Sequence, residues 1–357
     1  MKKVMTGFIA IVLVSILILV TINRLNLSQG YSGADTLTVF NWGEYIDMDL
    51  VSQFEDETGI TVIYETFDSN EAMLTKIQQG GTTYDIAVPS EYMIEKMLEE
   101  DLLIPLEHEK LPNLDNIDGR FMDLPFDIGN QYSVPYFWGT VGILFNPELL
   151  PDKTFTSWDD LWDSDLENGI LLIDGAREVI GMGLNSLGYS LNDTDREHLG
   201  EALEKLNQLT PNVKAIVGDE NKLLMANNEA AVSLAWSGDA RDIMWENEAL
   251  TYVVPEEGSN LWFDNMVIPK TADNIEGAHA FINFMLDAEI AALNTEYVSY
   301  STPNQAALPL LPAEMVEDER FYPSAELTER LEVYENLGRE MLGLYNELFL
   351  QFKMHRN

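Results

Sequence analysis

The sequence predicts an α/β protein of two lobes around a hinged cleft, preceded by an N-terminal transmembrane helix, and three observations carry that expectation. At 357 residues the chain exceeds what one compact core organises, since domains commonly run to about 100 to 200 residues. From Asp35 onward, short β-branched runs alternate with helical periodicity, the pattern of βαβ units and a mainly parallel sheet. Ahead of that, Lys2 and Lys3 lead an uncharged apolar run from Val4 to Ile22.

As a helix the apolar run would extend about 28 Å at ~1.5 Å per residue, close to the ~30 Å hydrocarbon core of a bilayer. The leading lysines favour a cytoplasmic N-terminus, which places the remainder outside. A cleaved signal peptide is the competing fate, because Ser32-Gly33-Ala34 resembles a small-residue cleavage site. The run is longer than an ordinary signal core and Ala34 lies well beyond its end. The expectation is an uncleaved anchor over residues 1–23 and a tether over 24–35.

The elements follow in order. Leu37 to Trp42 reads as a strand, and Asp47 caps a helix carrying Leu50, Val51 and Phe54 that stops at Gly59. Ile60 to Phe67 is the second strand. Ser69 caps a helix with Met73, Leu74 and Ile77 on one face before Gly80-Gly81, Tyr84 to Val88 is the third strand, and Ser90 caps a helix through Met97. Beyond Tyr136 to Thr140 a second series begins: a helix capped at Ser157, a strand over Ile170 to Ile173, and helices near 178–187 and 197–208. The strand Leu261 to Ile268 suits a crossing back. These boundaries predict one lobe from 36–140 with 264–308 and another from 141–263 with 309–357.

Composition removes several classes of function. There are 61 acidic residues against 20 basic ones, a formal charge of −41, and the acids are spread over every segment. Nucleic acid is excluded as a partner, because phosphate binding needs clustered Lys and Arg. The field would draw small cations, although adaptation to salt or to solubility explains it equally well. The absence of cysteine rules out disulfides, thiolate metal sites and thiol catalysis. The four histidines, His108, His198, His279 and His355, lack metal-ligand spacing, and no metalloprotease, nucleophile-elbow, P-loop or dinucleotide motif occurs. No catalytic residue, metal or cofactor is expected.

In an open α/β sheet ligands bind beyond the carboxyl ends of strands, where Trp42-Gly43-Glu44-Tyr45 and Ser90-Glu91-Tyr92 fall. Residues two apart on a strand share a face, so Trp262 and Asp264 point one way and Phe263 the other. An indole face and a carboxylate together suit a protonated amine, through cation–π attraction and charge-assisted hydrogen bonds. Each residue also has a plain structural reading: Trp42 as core, Ser90 as a helix cap, Trp262 as core beside a surface Asp264. Glu178 fits the first turn of a helix either as a dipole partner or as a cleft carboxylate. Trp236 and Asp239 again join an aromatic and an acid at an element boundary, while Trp158 and Trp162, one helical turn apart, read as core.

At Asn41-Trp42-Gly43-Glu44-Tyr45, Asp85 to Tyr92, Tyr136-Phe137-Trp138-Gly139, Asp174-Gly175-Ala176-Arg177-Glu178, Leu261-Trp262-Phe263-Asp264 and Tyr300 to Asn304, the chain resembles the spermidine/putrescine-binding proteins of ABC transporters, in the Gram-positive form. The resemblance runs in order from about residue 36 to the C-terminus. It implies a type II periplasmic-binding-protein fold that closes on an extended polyamine, with no reaction catalysed. By position it implies that Trp42, Tyr45, Ser90, Tyr92, Trp236, Trp262 and Tyr300 line the site, that Glu178 and Asp264 hold amine groups, and that Glu44 is a further acid near one end. Gly43 stands in place of a hydroxyl residue, Gly175 in place of an additional Asp, and Tyr334 in place of a Gln, with Asp174 or Asp239 as substitutes for the missing carboxylate. The implied partners are a polyamine, the permease subunits with their ATPase, and the membrane through the N-terminal helix; a monomer is expected. The implied location is the outer face of the cytoplasmic membrane, or the periplasm or medium if the segment is cleaved. Rival readings are a binder of another organic cation, such as a quaternary ammonium compound, and an extracellular carboxylate glycosidase.

Overall fold

The computed structural model describes residues 35–355. The apolar run, its small-residue site and all but the last residue of the tether lie outside the described residues. Among the described residues, no helix is long and apolar enough to cross a membrane.

The first half forms as the sequence patterning dictates. Strand β1 (Thr36–Trp42) leads to helix α1 (Met48–Thr58), whose N-cap Asp47 accepts the Asp49 amide and whose end is turned by Gly59 at φ 73°. Strand β2 (Thr61–Phe67) pairs in parallel with β1, and helix α2 (Asn70–Gln79) is capped by the Ser69 hydroxyl and closed by Gly80 at φ 63°. These left-handed closures favour glycine because a Cβ there meets the following backbone. The third strand is shorter than the sequence suggests: β3 pairs only over Ile86–Ala87, and helix α3 covers Glu91–Glu99.

The long central strand β4 (Ser133–Phe145) is buried along its whole length and links the two halves of the sheet. Strand β5 (Ile170–Ile173) precedes α4 (Ala176–Asn185) and α5 (Arg196–Leu209); β6 (Val213–Val217) precedes α6 (Glu220–Ala226); β7 (Val232–Trp236) precedes α7 (Ser237–Glu246). Strands β8 (Thr251–Val253) and β9 (Leu261–Val267) follow, then α8 (Ile275–Met285) and α9 (Ala288–Val298). The last helix, Gly338–His355, returns to pack on α4 and α5, burying Tyr345, Leu348, Phe349 and Phe352. The segment after Ser157 is a 3-10 helix with a full capping box rather than an α-helix, and Trp158 in it is core, its indole donating to the Gly258 carbonyl at 2.9 Å.

The strand order is β2-β1-β3-β9-β4-β7-β5-β6, with β8 also against β4. The expectation of a mainly parallel sheet is corrected here. Pairing is parallel at both ends of the order but antiparallel through β3–β9, β9–β4 and β4–β7, because β4 and β9 cross between the halves in opposite directions. Residues 133–140 of β4 pair with β9, whereas 141–145 pair with β7.

Candidate functional site

A cleft of about 920 Å³ opens beyond the carboxyl ends of β1, β3, β5 and β7, with β9 across its floor. All ten candidate residues line it: Trp42, Glu44, Tyr45, Ser90, Tyr92, Glu178, Trp236, Trp262, Asp264 and Tyr300. Strand alternation on β9 accounts for two of them. Trp262 and Asp264 face the cleft while Phe263 points away, into Phe121 and Phe126.

Asp264 is buried, and its two oxygens accept from the Ser90 hydroxyl and the Tyr45 hydroxyl, each at 2.7 Å. No ion pair to this carboxylate is present among the described residues. Burial pushes its pKa up to about 6, with the two hydroxyl bonds pulling the other way. Ser90 occupies the N-cap position of α3, yet its hydroxyl makes no capping bond; it serves Asp264 instead. The sequence reading of Ser90 as a side-chain cap is corrected by this geometry. Asn70 sets the serine in place, accepting the Ser90 amide at 3.1 Å and donating to the Ser90 and Tyr92 hydroxyls, both at 3.0 Å.

The aromatic wall is built by edge contacts. Tyr300 meets Tyr45 at 5.2 Å and Trp262 at 5.3 Å between centroids. Trp42 is half-buried against Phe67, with its indole donating to the Val88 carbonyl at 2.9 Å, so it serves both as packing and as lining. Gly139 lies opposite Trp262 in the β4–β9 pairing, and a Cβ there would come within 2.5 Å of the indole. The missing side chain is what lets the ring lie over the strand. The Trp262 indole N–H is itself buried without a protein partner.

Glu178 sits in the first turn of α4 and also faces the cleft, so its two sequence readings hold together. Burial raises its pKa, opposed by Arg177 and reinforced by Glu71. A Cβ at Gly175 would collide with the Glu178 carboxylate, which therefore occupies the space a side chain at 175 would need. Of the two suggested substitutes, Asp174 is paired with Lys353 at 2.7 Å and Asp239 with Lys222 at 3.3 Å.

Four participants escaped sequence reasoning. Asn70 and Glu91 each follow a cap serine and look like ordinary first-turn polar residues. Glu91 is in fact fully buried; one oxygen accepts the Phe263 amide at 2.9 Å and the other has no partner, and burial pushes its pKa up to about 8. Arg177 lays its guanidinium 4.1 Å from the Tyr334 ring centroid and 5.3 Å from that of Tyr345, binding the C-terminal segment to the cleft wall. Lys222 carries no motif at all. Glu91, inside the Asp85 to Tyr92 run, and Arg177, inside the Asp174 to Glu178 run, had a sequence signal available; Asn70 and Lys222 had none.

Among the described residues no cluster of His, Cys, Asp and Glu could hold a metal ion. The arrangement is a polar and aromatic trough, suited to holding an extended cation with amine groups at carboxylates and methylenes against rings.

Comparison with known proteins agrees with that chemistry. The family model described as bacterial extracellular solute-binding protein matches residues 49–322. The spermidine/putrescine-binding periplasmic protein of Salmonella typhimurium is 39% identical over 336 residues, covering 92% of this chain and 96% of that protein. A solved structure from Listeria monocytogenes, assigned to a spermidine/putrescine ABC transporter, is 65% identical with a TM-score of 0.87, covering 90% of this chain and 99% of that one. The spermidine/putrescine ABC transporter substrate-binding protein from Streptococcus pneumoniae, solved with calcium and HEPES, is 57% identical with a TM-score of 0.82, covering 90% and 100%.

Proposed function

This chain belongs to the bacterial extracellular solute-binding proteins, in the spermidine/putrescine-binding group, and from that premise we propose that it captures spermidine or putrescine in the cleft for delivery to an ABC permease. Its fold is the α/β fold of periplasmic binding proteins, and the family binds solutes without transforming them. The observation that carries the ligand assignment is Asp264. A buried carboxylate held by two hydroxyls and raised in pKa is an acceptor waiting for a cationic donor. A quaternary ammonium offers no N–H to such a carboxylate, so a primary amine is the better match.

Capture proceeds without chemistry. One amine is fixed by Asp264, another by Glu178, and the methylenes lie against Trp262, Tyr300, Tyr45, Trp42, Tyr92 and Trp236. The lobes, 36–140 with 264–308 and 141–263 with 309–357, close over the ligand, with β4 and β9 carrying crossings between them. The closed form is what the permease and its ATPase engage. We place the protein on the outer face of the cytoplasmic membrane as a monomer, held by the apolar run Val4 to Ile22.

Calorimetric titration with putrescine, spermidine and a neutral diol at two salt concentrations tests this. One-to-one polyamine binding that persists at high salt, is absent for the diol, and weakens about 10- to 150-fold in Asp264→Asn is expected, since hydrogen bonds to a charged group contribute roughly 1.5 to 3 kcal/mol. Binding that vanishes with salt and is indifferent to Asp264→Asn would mean attraction to the acidic surface alone.

A further inference from the structure

One end of the cleft already contains an ammonium. Lys222, in the first turn of α6, places its Nζ 3.3 Å from Asp239 Oδ1, 3.7 Å from Asp242 Oδ2 and 3.8 Å from Glu44 Oε2. The Tyr300 hydroxyl donates to the same Asp239 oxygen at 2.9 Å. Three carboxylates around one amine, joined to a ring of the aromatic wall, make the environment a ligand ammonium would require. Burial pulls the Lys222 pKa down, but Asp239, Asp242 and Glu44 outweigh it and keep the group charged. Glu44 belongs to the loop after β1, whereas Lys222 and Asp239 stand on the helices after β6 and β7, so the lysine head lies between the two halves of the sheet.

We propose that Lys222 is a tethered ammonium that fills the Glu44–Asp239 subsite and makes the cleft discriminate by the number of ligand amines. The proposal rests on the polyamine reading. A diamine uses Asp264 and Glu178 and leaves Lys222 in place. A triamine has a third charge to accommodate and must displace the lysine, exchanging one ion pair for another with little gain. Displacement is feasible because the Lys222 side chain is 29% exposed and two of its three contacts, those to Asp242 and Glu44 at 3.7 and 3.8 Å, are at the loose end of ion-pair distances. Without the lysine, Asp239 and Glu44 are left uncompensated and the third ammonium of a triamine takes up their full attraction.

Titrations of the purified full chain with putrescine and spermidine would compare the parent, Lys222→Met and Lys270→Met at one ionic strength. Lys270 pairs with Asp101 away from the cleft, so its removal reports the effect of net charge alone. Lys222→Met is expected to tighten spermidine binding at least tenfold while changing putrescine binding less than threefold, with Lys270→Met altering neither ratio. A second measurement needs no substitution: lysine acetylation followed by mass spectrometry should modify Lys222 several-fold faster under saturating spermidine than under saturating putrescine. An equal gain for both ligands, a gain reproduced by Lys270→Met, a loss of spermidine affinity, or identical Lys222 reactivity under the two ligands would overturn the discrimination while leaving polyamine capture intact. Failure of the parent and both variants to bind either polyamine would overturn the polyamine reading, and this inference with it.

Discussion

Asp264 shows how one buried group links affinity and stability to pH in opposite directions. Its pKa is about 6 in the folded chain against an ordinary value of 3.8, so between those values the folded state holds a proton that the unfolded state has released. The contribution to stability is therefore present below about 3.8 and is lost as pH rises through 6. Affinity for a cation runs the other way, because only the ionised form attracts an amine. The rise in melting temperature caused by saturating putrescine should accordingly be larger at pH 7.5 than at pH 5, and Asp264→Asn should flatten that difference. An equal rise at both pH values in the parent would remove Asp264 from the binding step.

At the scale of elements, two helix starts that look alike in sequence do different work. Asp195 caps α5 by accepting the Glu197 amide at 2.8 Å and is not among the residues lining the cleft, whereas Ser90 stands at the cap of α3 and turns its hydroxyl to Asp264. Asp195→Ala should cost about 1 kcal/mol of stability, measured by denaturant unfolding, and leave polyamine affinity unchanged. Ser90→Ala should do the reverse, lowering affinity several-fold with little change in the unfolding midpoint. The same logic separates the strands. Both strands are buried along their length, but β4 is mostly apolar, while β9 alternates Trp262 and Asp264 toward the cleft with Phe263 toward the core.

Across the whole molecule the charge of −41 acts on encounter more than on the bound state. A field of one sign steers a small cation toward the cleft and is screened beyond about 10 Å at 0.1 M salt, while in the proposed binding mode the amines would meet Asp264 and Glu178 at short range in a partly dry cleft. Stopped-flow measurement over rising salt should show the association rate falling at least fivefold with the dissociation rate nearly constant. A dissociation rate that rises in step with salt would mean that the surface, not the cleft, holds the ligand.

The sequence by itself determined the local elements and the lining. Caps at Asp47 and Ser69, stops at Gly59 and Gly80, and the alternation at 261–264 are encoded by neighbours within a few residues, and they appear where the patterning puts them. Five of the six short motifs carried nine of the ten lining residues for the same reason, since each is a short run at or beside the end of an element, and Trp236 closes its strand outside them. Tertiary structure alone decided what depends on residues distant in sequence. The antiparallel middle of the sheet follows from β4 and β9 crossing in opposite senses, a property of topology that periodicity does not carry. The diversion of Ser90 from capping, the burial of Glu91, and the seat of Lys222 among Asp239, Asp242 and Glu44 each require partners from separate elements. Electrostatic pairing acts through space, so a lone lysine without a motif becomes informative only when the chain has brought its acids to it.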